Sequence, residues 1–236
     1  APSNATEREG ANVRKIEPWF TFAEAVLRPP AAFWFNWRFE GLENIPAEGP
    51  LLVACNHISY LDPIAHALLM LKAHRRPRFL AKSGLYKNWF TRTVLTGAGQ
   101  IRVDRGSGSH GPVDAAVAGL KRGEAVMIYP EATITTNADF TPMTGKTGIA
   151  RIALRADVPV LPIATWGGQY VWQRDGAHNL SFGRPIWLRA GTPLDFSEFE
   201  RRQEDPAALR TVTDAVMDEL TRLVNELRSA YPKRWQ

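Results

Sequence analysis

Residues 51–63 read LLVACNHISYLDP, and this stretch decides the fold. Its first five residues are uniformly apolar, which predicts a buried strand. Apolar residues at helical spacing follow Pro63, so a helix is predicted to begin there, with Asp62 at its N-cap and proline at its first position. The chain is therefore predicted to turn from a central strand directly into a helix.

The alternation of strand and helix continues along the chain. Further strands are predicted at 78–82, 100–104, 125–129 and 158–164, and helices at 63–73, 112–122 and 145–157. A stripe of Leu and Val from Leu209 to Leu227 predicts a last packed helix. These patterns predict an α/β fold with a mixed, largely parallel central sheet flanked by helices. One catalytic domain over residues 41–236 accounts for the length.

His57 and Asp62 lie five positions apart at the predicted strand-to-helix turn. Such turns present side chains at the mouth of an α/β sheet, where ligands bind. A neutral imidazole there can take a proton from a hydroxyl, while a carboxylate on its other nitrogen fixes the tautomer and stabilises the imidazolium. The alternative is that the spacing arose by chance and that Asp62 serves only as a helix cap.

Three later segments strengthen the catalytic interpretation: GQIRVDR at 99–105, YPEATIT at 129–135 and VPVLPIA at 158–164. Together with residues 56–62 they resemble the four sequence blocks of the glycerolipid acyltransferase family, whose best-known members are the lysophosphatidate acyltransferases. The resemblance implies acyl transfer from a thioester donor to a lipid hydroxyl. It also implies that His57 is the general base and Asp62 its orienting partner.

The third block departs from the family pattern. It usually reads Phe-Pro-Glu-Gly-Thr-Arg-Ser, whereas this chain has Ala132, Ile134 and Thr135 in place of the glycine, the arginine and the serine. The family arginine is thought to hold the phosphate of the acceptor, and Ile134 cannot do so. Either another cation takes over this role or the acceptor differs from lysophosphatidate.

The resemblance and the residue types supply five candidate substrate-binding residues. Lys82 matches a lysine that the family uses for phosphate, Arg105 closes the second block, and Lys146 is a further cation. Each of them is alternatively a solvated surface charge. Glu131 and Thr133 belong to the third block, and Glu131 is expected either to contact the acceptor or to hydrogen-bond loop backbone and order the pocket.

Residues 1–40 differ from the rest because they are crowded with large aromatic side chains. No apolar run there reaches the ~18–20 residues that a membrane-spanning helix needs. Aromatic rings beside basic residues suit a membrane surface, so this stretch is predicted to be a helical membrane-docking segment. The alternative is that these aromatics cover the catalytic core. They are Trp19, Phe20, Phe22, Phe33, Trp34, Phe35, Trp37 and Phe39.

A net charge of +5 and a pI near 9.6 fit an anionic partner surface. Nucleic acid is not expected, because the basic residues are dispersed and form none of the usual recognition motifs. Anionic lipids are the simpler partner, at the cytoplasmic face of the cell membrane with peripheral or monotopic attachment. Cys55 is the only cysteine and the histidines lack metal-ligand spacing, so neither a metal nor a cofactor is expected.

The leading hypothesis is an O-acyltransferase of phospholipid biosynthesis. It would move a fatty acyl group from acyl-CoA or acyl-carrier protein to a hydroxyl of lysophosphatidate or a related lysophospholipid. Two alternatives stay open. One is a non-catalytic lipid-binding adaptor of the same fold, and the other is a thioesterase that uses water at the same site.

Overall fold

The computed structural model describes residues 33–103 and 110–236, together with the single positions 25 and 29. The strands are β1 (Asn36–Glu40), β2 (Leu51–Cys55), β3 (Pro77–Lys82), β4 (Ile101–Val103), β5 (Ala125–Ile128), β6 (Val160–Trp166) and β7 (Pro185–Ala190). The helices described in full are α1 (Asp62–Lys72), α2 (Trp89–Gly97), α3 (His110–Lys121), α4 (Gly148–Ala156) and α5 (Pro206–Ala230).

The strands form one seven-stranded sheet in the order β1-β7-β6-β2-β5-β3-β4. All neighbouring pairs are parallel except β6 and β7, so β1 and β7 run opposite to the other five. Every residue of β2 and β6 is buried, which explains why both read as continuous apolar runs. The predicted α/β fold with a mixed, largely parallel sheet is confirmed.

The two faces of the sheet carry different helices. On β2, Leu52 and Ala54 pack with residues of α3, α4 and α5. The alternate residues Leu51, Val53 and Cys55 pack with α1 on the opposite face. Because side chains alternate along a strand, β2 contacts the helices on both faces of the sheet. The sheet is held between them, and its carboxyl end, where β2 to β6 finish, stays open between the layers.

Some elements differ from the sequence-based expectation. The predicted bounds of β2 are correct, but β1, β7 and α2 were missed. β1 lies at the edge of the sheet and alternates between exposed and half-buried residues, while α2 buries none of its residues. The residues of β1 do alternate between polar and aromatic, as in a half-buried strand, but they were included in the predicted membrane-docking segment. The nine residues of α2 are fewer than the window over which helical periodicity is recognised. The predicted boundary between residues 40 and 41 places β1, a strand of this sheet, in the amino-terminal segment.

Candidate active site

Asn56 anchors the start of the loop between β2 and α1. Its side chain donates from Nδ2 to the carbonyl oxygen of Thr165 (3.1 Å) and accepts at Oδ1 from the backbone N–H of Thr165 (2.7 Å). The amide is fully buried, so both bonds are protected from water. The loop that leaves β2 is thereby fixed to the carboxyl end of β6.

His57 and Asp62 form the predicted pair. Nδ1 of His57 lies 2.9 Å from Oδ2 of Asp62, and the same oxygen accepts the backbone N–H groups of Ile58 (2.6 Å) and Ser59 (2.8 Å). Asp62 is buried, and Gly168 packs so closely that a Cβ there would lie 3.2 Å from its Oδ1. Three donors on one oxygen hold the carboxylate in place, and through it the imidazole.

The predicted N-cap role of Asp62 is wrong. α1 begins at Asp62 itself, and the residue at its N-cap is Leu61, with no side-chain cap. The carboxylate points back to the loop that precedes the helix instead of to the first turn that follows it. The carboxylate thus accepts hydrogen bonds from the loop and from His57, and not from the first turn of the helix as a cap would.

The backbone of His57 is held from both sides. Its N–H donates to Oε1 of Glu131 (2.9 Å), and its carbonyl oxygen accepts the N–H of Thr135 (2.7 Å). The other oxygen of Glu131 accepts the N–H of Met143 (2.9 Å). Burial raises the pKa of Glu131, and these two backbone N–H groups oppose that rise. With both oxygens occupied by backbone, the geometry favours the loop-ordering role among the two roles expected for Glu131.

The His57 ring lines an apolar cavity of about 710 Å³. One face of α1 supplies part of the wall through Ile64, Ala67, Leu68 and Leu71, which follow the helical repeat. The remaining wall comes from β3, β4, β5, α2, α3, α4 and the loops near them. A cavity of this size is in the range of about 300–1,000 Å³ that is usual for ligand sites, and its lining suits a hydrocarbon chain.

Comparison with known proteins identifies the family to which this chain belongs. Residues 36–166 match the acyltransferase family, which is more than half of the chain. The chain belongs to the acyltransferase family. The predicted resemblance to glycerolipid acyltransferases and the predicted class of enzyme, an O-acyltransferase, are confirmed.

Individual enzymes resemble the chain over most of its length. The 1-acyl-sn-glycerol-3-phosphate acyltransferase of Bacillus subtilis is 26% identical over 188 residues, which cover 78% of this chain and 86% of that protein. A human protein described as a DGAT1/2-independent enzyme synthesizing storage lipids is 23% identical over 228 residues, 87% of this chain and 68% of that protein.

A solved acyltransferase structure shares the fold. The 1-acyl-sn-glycerophosphate (LPA) acyltransferase PlsC of Thermotoga maritima superposes with a TM-score of 0.65 at 23% identity, over 92% of this chain and 80% of that chain. At this identity the superposition establishes the architecture alone.

Two residues beside the His57–Asp62 pair were missed from the sequence. The ring of Tyr129 stacks on His57 with 4.2 Å between centroids, and its hydroxyl lies 3.2 Å from Nδ1 of His66. Burial raises the pKa of Tyr129 and lowers that of His66 to about 4. The pair is therefore neutral near pH 7. The signal in the sequence is the spacing of His66, four residues after Asp62 and so on the same side of α1.

The predicted substrate-binding cations are partly located. Lys82, at the end of β3, and Lys146, just before α4, both line the cavity and are exposed. Arg105 lies outside the described residues. Thr133 is exposed and is not among the residues that line the cavity. The structure thus brings two of the three predicted cations to the cavity that contains His57.

The departures in the third block have different surroundings. Ile134 is buried and does not line the cavity, so its side chain is part of the protein interior. Ala132 lines the cavity and has φ of +63°, a backbone conformation in which the family's glycine would be unstrained. Ala132 therefore adopts a left-handed conformation that the glycine of the family pattern would adopt at no steric cost.

Other features bear on the predicted partners. No helix within residues 33–103 and 110–236 is long and apolar enough to cross a bilayer. In that same part of the chain, no three His, Cys, Asp or Glu side chains are grouped as metal ligands. Burial raises the pKa of the Cys55 thiol well above its usual range, as expected of an unreactive core residue.

Proposed function

We propose that this acyltransferase moves a fatty acyl group from acyl-CoA or acyl-carrier protein to the free hydroxyl of 1-acylglycerol-3-phosphate or a related lysophospholipid. The observation that carries the proposal is the His57–Asp62 pair, with 2.9 Å between Nδ1 and Oδ2, placed at an apolar cavity of about 710 Å³. The Bacillus relative, a 1-acyl-sn-glycerol-3-phosphate acyltransferase, supports the acceptor.

His57 acts as the general base in this proposal. An ionised carboxylate can only accept hydrogen bonds, so Asp62 keeps the proton of the neutral ring on Nδ1 and leaves the lone pair of Nε2 available. Nε2 removes the proton of the acceptor hydroxyl as its oxygen attacks the thioester carbonyl carbon. The C–S bond then breaks, and the imidazolium returns its proton to the departing thiolate. The reaction needs no covalent enzyme intermediate and no cofactor besides the acyl donor.

The acceptor phosphate is assigned to the cations at the cavity. Lys82 and Lys146 line it, and an ammonium group binds phosphate as a point charge. They would replace the family arginine, whose position is held by the buried Ile134. Arg105 remains a third candidate from the sequence.

A neutral acceptor is the second candidate, and Ile134 is the observation that favours it. A neutral acceptor has no phosphate, so its binding does not require the arginine that Ile134 replaces. The human relative, whose name describes synthesis of storage lipids, points in the same direction. An adaptor without catalysis fits poorly, because Asp62 can order the loop through Ile58 and Ser59 alone, whereas an imidazole on the same oxygen serves chemistry.

The proposed place of the reaction is the cytoplasmic face of the cell membrane, with peripheral or monotopic attachment. The acceptor is a lipid, and the excess of basic residues suits anionic headgroups. Of the aromatic residues behind the predicted docking role of residues 1–40, Trp19, Phe20 and Phe22 lie outside the described part of the chain. Phe35, Trp37 and Phe39 pack against the core, which corrects the prediction for these three, while Phe33 and Trp34 are exposed.

The test is acyl transfer by the purified protein from labelled palmitoyl-CoA or palmitoyl-carrier protein. The acceptors are lysophosphatidate, glycerol 3-phosphate and neutral or glycosylated lysolipids, and free fatty acid is measured alongside. We expect transfer to lysophosphatidate that falls about a thousandfold in His57→Ala, within the range of general-base catalysis.

The other results each contradict part of the proposal. Transfer only to a neutral acceptor would make Ile134 a specificity residue. Release of fatty acid that does not depend on an acceptor would indicate a thioesterase. No turnover with either donor would favour the adaptor, and full activity of a folded His57→Ala protein would exclude His57 as the base.

A further inference from the structure

The exposed apolar side chains lie at one end of the molecule. Of the described residues, nine large apolar side chains are exposed. Five of them follow strands that finish at the carboxyl end of the sheet: Tyr60 follows β2, Trp172 follows β6, and Leu85, Trp89 and Phe90 follow β3. His57, two residues after β2, lies at the same end of the sheet.

The other four exposed side chains lie at this end because they precede strands that run in the opposite direction. Phe33 and Trp34 precede β1, and Leu180 and Phe182 precede β7. Because β1 and β7 run opposite to β2 and β6, their amino ends lie where the other strands finish. Phe182 contacts Phe33 and Trp34 with ring centroids 5.5 and 5.6 Å apart. All nine exposed side chains therefore flank the catalytic end, which is a clustering that soluble surfaces rarely show.

The segment after β3 has the strongest membrane-binding character. We call it the docking segment and define it by Leu85, Lys87, Trp89, Phe90 and Arg92. The side chains of Leu85, Trp89 and Phe90 are 53%, 76% and 58% exposed, and the two cations are also exposed. Large aromatic rings beside basic residues are what an interfacial segment presents to headgroups.

The positive charge of residues 63–103 indicates that the surface they contact is anionic. Residues 63–103 contain eight Lys and Arg and no Asp or Glu, in a chain with 24 acidic residues in total. Each basic residue near an anionic leaflet adds to the attraction, and no carboxylate within this stretch opposes it. A protein partner with an apolar groove would not need such a one-sided charge.

The docking segment also borders the cavity. Leu85 both lines the cavity and is half exposed, so the cavity opens beside this segment. Lys82 precedes it and Leu95 of α2 forms part of the cavity wall. A lipid held in a bilayer beneath Trp89 and Phe90 would thus meet the cavity without crossing water.

We propose that the docking segment seats the carboxyl end of the sheet on an anionic bilayer, so that the cavity receives its substrate from the membrane. The residues that define this contact all lie within the described part of the chain. The proposal rests on the proposed function only in taking the substrate to be a lipid.

The experiment measures binding of the full chain to vesicles of phosphatidylcholine, with and without phosphatidylglycerol, by co-sedimentation. We expect binding that requires phosphatidylglycerol, and a partition coefficient about tenfold lower in Trp89→Ser/Phe90→Ser, because two interfacial aromatic anchors are lost. Lys87→Glu/Arg92→Glu should weaken binding to a similar extent. The control, Lys121→Glu/Arg201→Glu, makes the same change in net charge at exposed positions near the amino end of the sheet and should bind nearly as the wild type does.

Activity separates this proposal from the proposed function. Trp89→Ser/Phe90→Ser should turn over water-soluble short-chain substrates at the wild-type rate and vesicle-borne acceptor more slowly. If the protein transfers no acyl group, the proposed function fails, while the vesicle measurements still decide the docking proposal.

Three results would overturn docking. The first is that Trp89→Ser/Phe90→Ser binds vesicles as tightly as the wild type does. The second is that Lys121→Glu/Arg201→Glu loses as much binding as Lys87→Glu/Arg92→Glu does. The third is that the wild type does not bind vesicles. A wild-type dimer that becomes monomeric in Trp89→Ser/Phe90→Ser would overturn it too, by identifying the surface as an interface between copies of the chain.

Discussion

The loop between β2 and α1 and the docking segment between β3 and β4 leave the same end of the sheet and are built in opposite ways. In the first, Asn56, Ile58, Ser59 and Asp62 are buried, and the N–H groups of residues 57–59 all donate to carboxylates. In the second, no residue of the 3-10 turn Ser83–Tyr86 or of α2 is buried.

The difference matches the role proposed for each region. The proposed proton transfer at His57 requires a fixed nitrogen position, because small displacements of a catalytic group cost large factors in rate. Contact with a bilayer requires exposed apolar surface, which leaves few native contacts to stabilise the segment. We therefore expect similar substitutions to have large effects in the first region and small ones in the second.

The largest expected effect is on stability, in Asn56→Ala. The substitution leaves the buried N–H and carbonyl groups of Thr165 without their partner, so the free energy of unfolding should fall by about 3 kcal/mol. Urea unfolding of both proteins measures this difference. A cost below about 1 kcal/mol would mean that the loop does not depend on this anchor.

The next effect is on catalysis, in Asp62→Asn. An amide can still pair with some of the three donors on Oδ2, but it carries no charge to stabilise the imidazolium and can select the wrong tautomer of His57. We expect kcat to fall about a hundredfold while KM for the acyl donor changes little. A fall in the donor affinity with unchanged kcat would instead assign Asp62 to binding.

The sequence predicted the buried region well and the exposed one poorly. β2 was predicted with its correct bounds because a strand that is buried on both faces is continuously apolar. β1 was missed because its alternating residues were included in the aromatic-rich amino-terminal segment, and α2 because nine residues are too few to show a helical repeat clearly. The antiparallel return through β7 could not be read from local pattern at all, since it depends on pairing between distant residues.

The same limit applies to the site. His57, Asp62 and Glu131 were identified from their blocks, and the structure brings all three together. What the sequence could not give is the direction in which each carboxylate points: Asp62 faces the loop and not the helix, and Glu131 faces backbone N–H groups. Tyr129 and His66 were missed because their contact joins residues 63 positions apart.

His66 provides a test of how the buried region responds to acid. Its pKa is about 4 in the folded protein, mainly because burial disfavours the charged ring, against about 6.5 in the unfolded chain. Between these values the unfolded chain binds more protons, so stability contributed by neutral His66 is present above pH 6.5 and is lost as pH falls toward 4.

The measurement compares the wild type with His66→Asn at pH 7 and at pH 5. The wild type should lose about 2 kcal/mol more than the variant over this interval. Glu131, whose pKa is raised by burial, is present in both proteins and cancels in the comparison. Equal pH dependence of the two proteins would show that His66 is not held neutral by the fold.

The smallest expected effect comes from Asn88→Ala, the same substitution as Asn56→Ala but made at an exposed position. The Asn88 side chain accepts the N–H of Phe90 (2.8 Å) and caps α2 at an exposed position. Loss of such a cap costs about 1 kcal/mol, and here the cost falls on a helix that buries nothing, so global unfolding should hardly change. Hydrogen exchange should instead become faster within α2 alone. If Asn88→Ala lowered global stability as much as Asn56→Ala, the docking segment would be part of the cooperative core, and its exposed aromatic residues would need a different explanation from a surface that is loosely held for contact with lipid.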